Sequence, residues 1–311
     1  MITYGREVAG VLAAIDSAVC GRIQRDSTTQ ISLQPYKGRY FGVGGELVDI
    51  SAGKTRVQSD NRIDAAGADA GAAAAVNTLY YVYLSNSLAT FSPSSIRLST
   101  VAPTTVNGVK YLGNSGNALN WRFLGWVRTI SNGGTPNFAD SVTQRLVINY
   151  YNRRVLQLRT CPGYVDDNAP TAITFAHPGG TGWFQLNGGT GDLLQYIDCG
   201  EETVQVDFYG AVALTDSAAD VFTLGYGIDS TTVGAVHHSD QEFDGTSFGG
   251  SSYWHPQGIG YHNLAEGFHE INFLGFNQSP ANSVTLYVDG GRVPGESVDS
   301  ECTYIQAKVW G

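Results

Sequence analysis

Between Thr78 and Arg154 the chain has little choice but β structure. The stretch reads Thr78-Leu-Tyr-Tyr-Val-Tyr-Leu84, Ile96-Arg-Leu-Ser-Thr100, Tyr111-Leu-Gly113, Trp121-Arg-Phe-Leu-Gly-Trp-Val-Arg-Thr129 and Arg145-Leu-Val-Ile-Asn-Tyr-Tyr-Asn-Arg-Arg154. Each piece is short, aromatic and β-branched. Turn residues such as Ser92-Pro-Ser-Ser95 and Ser131-Asn-Gly-Gly134 separate them. That pattern predicts successive strands of one sheet. The rest of the chain agrees: 39 Gly without a fixed period demand many tight turns, and helix-favouring Lys is scarce.

One segment breaks the β pattern. Val8, Val11, Leu12, Ile15 and Val19 recur at three- and four-residue steps, which predicts a short amphipathic helix within residues 1–21. A helix of about three turns is marginal in isolation. Its stripe must therefore pack on its own domain or on a partner. From Arg22 the period changes to two, with Ile23, Ile31 and Leu33, then Arg39-Tyr-Phe-Gly-Val43 and Glu46-Leu-Val-Asp-Ile50 joined by the turn Gly42-Val-Gly-Gly45. The Ala-rich stretch 65–75 reads as a small-residue linker.

Taken in order, Pro35-Tyr-Lys-Gly38, Phe41-Gly-Val-Gly44, Leu79-Tyr-Tyr-Val-Tyr83, Leu98-Ser-Thr-Val-Ala-Pro-Thr104, Phe123-Leu-Gly-Trp-Val-Arg128 and Val147-Ile-Asn-Tyr-Tyr-Asn-Arg153 form a recognisable series. It resembles a β-rich module found in fibre, spike and tail proteins of tailed bacteriophages and phage-like particles, over roughly residues 22–155. The resemblance implies a β-rich shoulder domain, 22–160, that attaches to other virion proteins together with the N-terminal arm.

The second half alternates cleanly. In Val204-Gln-Val-Asp-Phe-Tyr-Gly-Ala-Val-Ala-Leu214 the even positions are apolar, and Gln205 and Asp207 fall on the wet face. Phe222, Leu224, Tyr226 and Ile228 repeat the pattern, as do Ile271 with Phe273 and Val284 with Leu286 and Val288. About eight to ten short strands predict a two-sheet sandwich, a jelly roll, over 161–311. With Gly267-Phe-His-Glu-Ile271 and the aromatic closing strand, this half resembles the trimeric heads of the C1q/TNF type that cap phage fibres. The closing residues Tyr304, Ile305, Val309 and Trp310 carry few charges to blunt an exposed edge. Burial of that strand centrally or at a subunit contact is expected, and with it a homotrimer.

Charge divides the chain in the same place. Up to Thr160 there are 16 Lys/Arg and 9 Asp/Glu, a balance of +7; from Cys161 there are 2 and 19, a balance of −17, and the two sum to −10. The acidic half should repel nucleic acid and anionic membrane, and the arginines of the basic half are scattered along strands, so no nucleic-acid partner is expected. No apolar run approaches the roughly 20 residues that span a bilayer, and Met1-Ile-Thr-Tyr-Gly5 lacks a basic leader, so the expectation is synthesis in the host cytoplasm without membrane insertion. Cys20, Cys161, Cys199 and Cys302 lack zinc-ligand spacing. Cys199 and Cys302 either pair or remain buried thiols.

Chemistry is thinly represented. Asp166-Asp167, Glu201-Glu202, and Asp240 with Glu242 and Asp244 are acids close in sequence, whereas a glycosidase needs two carboxyls facing each other across about 5–10 Å. His237, His238, His255, His262 and His269 cluster in sequence without metal-ligand spacing, and Asp240-Gln-Glu-Phe-Asp-Gly245 is not a calcium loop. No G-x-S-x-G, Walker or dinucleotide motif occurs. No catalytic residue, metal or cofactor is therefore expected. Ser239–Pro256 reads as the longest strand-free segment of the head. Its Tyr253, Trp254, His255, Asp240, Asp244 and Phe248, with His238, combine flat aromatic faces with short polar groups, which suits sugar rings.

The sequence thus predicts a non-enzymatic virion surface protein, a trimeric fibre or spike that binds host-surface polysaccharide through residues 161–311. A decoration protein without a receptor role and a polysaccharide depolymerase are the alternatives.

Overall fold

In the computed structural model most of the Thr78–Arg154 stretch joins one mainly antiparallel sheet around the twelve-residue strand Trp121–Asn132. The structure describes residues 15, 17–52, 54–57, 62–63, 74–86, 91–113, 118–161, 172–176, 183–188, 192–214, 221–231, 238–242, 253–254, 257–277, 283–287 and 303–311. It is nearly all β, and by contacts it divides into two units. One comprises Met1–Asp140, Arg145–Val155 and Trp310–Gly311; the other comprises Ser141–Gln144 and Leu156–Val309.

In the first unit, Trp121–Asn132 pairs with Leu79–Ser85 along one edge and with Val109–Leu112 and Val147–Asn149 along the other. A bulge at Phe123/Gly125 interrupts the first pairing. At Gly125 a Cβ would lie 2.1 Å from the Ile148 carbonyl oxygen, so only glycine lets the strands approach there. Three hairpins close through Gly44-Gly45, Asn107-Gly108 and Gly133-Gly134, each with both residues at positive φ, the two-residue turn that matches strand twist. Ile23, Leu33, Phe41, Val82, Leu84, Leu98 and Val127 share one apolar core.

Polar side chains tie that core to the N-terminal strands. Asn149, buried, accepts from the Ile23 amide at 2.7 Å and donates to the Ile23 carbonyl at 2.8 Å. Asn152 donates to the carbonyls of Val19 and Gly21. The buried Arg122 guanidinium donates to Gly42 O at 2.5 Å and Tyr151 Oη at 3.1 Å, and lies over the Phe41 and Tyr151 rings. Most of the helical stripe, Val8 to Leu12, lies outside the described residues, as does most of the Ala-rich stretch. Val19, expected on that stripe, is instead bridged antiparallel to Phe41. The two-residue period has already taken over there.

The second unit follows the alternation read from sequence. Eight of its strands are, in chain order, Val155–Thr160, Leu194–Asp198, Thr203–Tyr209, Val221–Ile228, His238–Glu242, Gln257–Asn263, Gly267–Asn277 and Tyr304–Trp310. Their hydrogen-bonded order is first–eighth–third–sixth in one sheet and second–seventh–fourth–fifth in the other. That is the double Greek key of a jelly roll. The sheets meet through Phe208, whose ring lies 5.9 Å from Phe273 and 6.1 Å from Tyr226. Asn187 is fully buried, accepting from the Phe273 amide at 2.9 Å and donating to the Ile271 carbonyl at 3.1 Å.

The closing strand, expected to need cover, lies between Val155–Thr160 and Thr203–Tyr209. Both its edges are hydrogen-bonded within the chain, so a subunit contact is not required to protect them. Cys199 is buried as a thiol and Cys302 lies outside the described residues. Among the described residues no helix is long and apolar enough to cross a membrane.

Candidate binding surface

The residues singled out from sequence fall on two different sheets. His238 and Asp240 lie on His238–Glu242, where they pair with Gly225 and Thr223 at the edge of one sheet. Tyr253 and Trp254 form a two-residue strand opposite Ala213 and Val212 in another sheet. Asp244, Phe248 and His255 lie outside the described residues. Ser239–Pro256 is therefore not strand-free, contrary to expectation. Both of its ends find hydrogen-bonding neighbours in strands rich in β-branched and aromatic residues, which overrides the Ser, Gly and Asp content between them.

His262 and His269 are held by hydrogen bonds within the fold. His262 Nε2 is 2.7 Å from Tyr226 Oη. His269 Nδ1 is 2.7 Å from Asp229 Oδ2, and its Nε2 is 2.9 Å from Ala265 O. Burial pushes the Tyr196 and Tyr226 hydroxyls above the usual phenol range. Among the described residues no group of three His, Cys, Asp or Glu side chains could hold a metal ion.

A more developed surface lies on the jelly roll's first sheet. Burial alternates strictly in Val155–Thr160, Thr203–Tyr209 and Tyr304–Trp310, which leaves one wet face. Across it the register sets Tyr304 beside Tyr209, Gln306 beside Asp207 and Lys308 beside Gln205; Asp207 faces Ile259 and Gln205 faces Tyr261 on the edge strand Gln257–Asn263. The Arg159 guanidinium lies 4.5 Å from the Tyr304 ring, which stacks on Tyr209 at 5.9 Å and 18°. In the next row Gln157 Nε2 donates to Gln306 Oε1 at 2.5 Å, and Gln306 Nε2 donates to Asp207 Oδ2. Asp207 Oδ1 is buried with no hydrogen-bond partner. Tyr261 and Ile259 remain 62% and 53% exposed.

Glycine makes this arrangement possible. On the inward side of the edge strand a Cβ at Gly258 would lie 2.6 Å from the Phe208 ring. The strand can close on the core only with glycine there, and its large side chains are left outside.

Charge also marks the face. The second unit holds Arg159, Arg292 and Lys308 against 19 Asp/Glu, a net of 3 − 19 = −16. Arg159 and Lys308 both lie on this face, with Asp207 as its acid. Sequence reading placed Gln205 and Asp207 on a wet face but passed over Tyr261, Ile259, Gln306 and Arg159. The available signal was the recurrence of Gln and Tyr at the wet parity of the third and eighth strands.

No family model matches the chain, and no curated protein matches it. Among solved structures it is similar to a chain of infectious bursal disease virus strain Gx, with 10% identity and a TM-score of 0.29 over 78% of this chain and 57% of that one. The VP2 subviral particle of infectious bursal disease virus gives 12% identity and a TM-score of 0.28, over 75% and 56% of the two chains. An insecticidal delta-endotoxin of Bacillus thuringiensis gives 10% and 0.27, over 94% and 52%. The chain spans little more than half the length of these proteins.

Proposed function

We propose that the chain is a non-enzymatic surface protein of a tailed bacteriophage or phage-like particle, a fibre or spike. Residues 1–160 attach it to other virion proteins, and residues 161–311 recognise host-surface saccharide, with the chain acting as a homotrimer in the virion. The observation that carries this reading is the change from a +7 half to a −17 half close to where the chain passes from one β unit to the other. Such a division suits an attachment part and an outward part with separate partners. The acidic unit disfavours DNA and anionic lipid. It offers an amide- and tyrosine-bearing surface of the kind that contacts sugar hydroxyls and ring faces. The strand motifs that resemble phage fibre and tail modules supply the particle context.

The test is a carbohydrate array probed with the full chain, followed by particle adsorption. Binding to a host-surface polysaccharide is expected. The reading fails if no polysaccharide binds.

A further inference from the structure

We propose that the wet face of the Thr203–Tyr209 sheet binds a neutral saccharide chain, with Tyr261 as its stacking platform and Gln306 and Asp207 as its hydroxyl contacts. This rests on the saccharide reading above, and it moves the contact from Asp240–His255 to the strands. The centre of the face is polar: Gln157, Gln306 and Asp207 form a hydrogen-bonded row. Of the exposed apolar side chains, Ile259 and Tyr261 sit on the edge strand, and Val155 and Trp310 sit at the ends of their strands, away from that polar row. A protein partner would want the reverse, an apolar centre within a polar rim.

Sugars fit this order better, since their C–H faces stack on an exposed ring while their hydroxyls both donate and accept. Gln157, Gln306 and Asp207 hold one another in fixed orientation, so a hydroxyl meets a row of polar groups already aligned. Gln205, the register partner of Tyr261, and Tyr209 are four residues apart on one strand. That separates the Tyr261 row from the stacked tyrosines by about 13 Å, room for more than one sugar ring. Neutrality is argued from the unit's net charge of 3 − 19 = −16, which at a distance outweighs Arg159 and Lys308 on the face and repels polyanions.

The experiment titrates the full chain with cello-, manno- and galacto-hexaoses and with a uronic-acid hexasaccharide, and measures mass by sedimentation in parallel. A neutral hexaose should bind. Tyr261→Ala and Gln306→Ala should each weaken it about tenfold with unchanged melting, Tyr261→Phe should keep it, and Trp254→Ala should leave it intact. If Trp254→Ala abolishes binding while Tyr261→Ala does not, this face is wrong and the saccharide reading stands. Binding of the uronic-acid chain in preference overturns neutrality. If none of these oligosaccharides binds while the array is positive, this proposal falls and the saccharide reading stands; if the array is negative too, both fall. If Tyr261→Ala dissociates an oligomer and leaves sugar binding unchanged, the face is a self-contact and the proposal is overturned.

Discussion

The two units use the same aromatic vocabulary in opposite directions. Around Trp121–Asn132 the rings turn inward: Phe123 and Trp126 are fully buried, 4.8 Å apart and edge to face. On the jelly roll's first sheet the tyrosines lie on the wet side, with Tyr261 on the edge strand 62% exposed. Aromatic density therefore marks a core in one unit and a surface in the other. What separates the cases is the parity of the neighbours, not the aromatics themselves. Leu84 and Val127 back the inward rings, whereas Gly258 and Gly260 stand behind Ile259 and Tyr261.

The largest effect that could break this contrast is at Trp126. Trp126→Ala should destabilise the first unit by about 3–5 kcal/mol in denaturant melts. Saccharide binding should survive in whatever fraction stays folded. Next come the two buried asparagines, one per unit. Asn149→Ala strands the Ile23 amide and carbonyl, and Asn187→Ala strands the Phe273 amide and Ile271 carbonyl. Each should cost about 2–4 kcal/mol, read as two distinct unfolding transitions if the units melt separately. Gly258→Ala sharpens the parity point. Its methyl would press on Phe208, and a loss of about 1–3 kcal/mol is expected together with weaker sugar binding as the edge strand shifts.

Those magnitudes also explain what the sequence could reveal. Alternation at the second residue named the buried side of Val204, Val206 and Phe208, and the turns at Gly44-Gly45 and Gly133-Gly134 followed from glycine's tolerance of positive φ. Ile259 and Tyr261 defeat the same rule, because the apolar residues of Gln257–Asn263 face water while the inward positions hold Gly258, Gly260 and His262. Asn149 and Asn187 reach across 126 and 86 residues of sequence to their strand partners, a distance no local pattern encodes. Ser239–Pro256 looked like one loop because its composition is loop-like. Its ends are strands because partners exist elsewhere in the chain.

The smallest expected effect lies at the surface of the first unit. There the Arg39 guanidinium, donating to the exposed Asp49 carboxylate, holds that carboxyl at about 2, helped by the Ser51 amide. A depressed carboxylate contributes stability in full above its ordinary value of about 4 and loses it as pH falls toward 2. Carboxyl NMR should show the Asp49 midpoint returning toward the ordinary range in Arg39→Gln, with little change in melting at neutral pH, since exposed pairs contribute little.

As proposed above, recognition would belong to the wet face of the second unit and not to the aromatic centre of the first. Amide hydrogen exchange of the full chain, with and without a bound neutral hexaose, tests it most directly. Added protection should concentrate in Thr203–Tyr209, Gln257–Asn263 and Tyr304–Trp310 and leave Trp121–Asn132 unchanged. Protection centred on Trp121–Asn132, or on Tyr253–Trp254 without the edge strand, would contradict it.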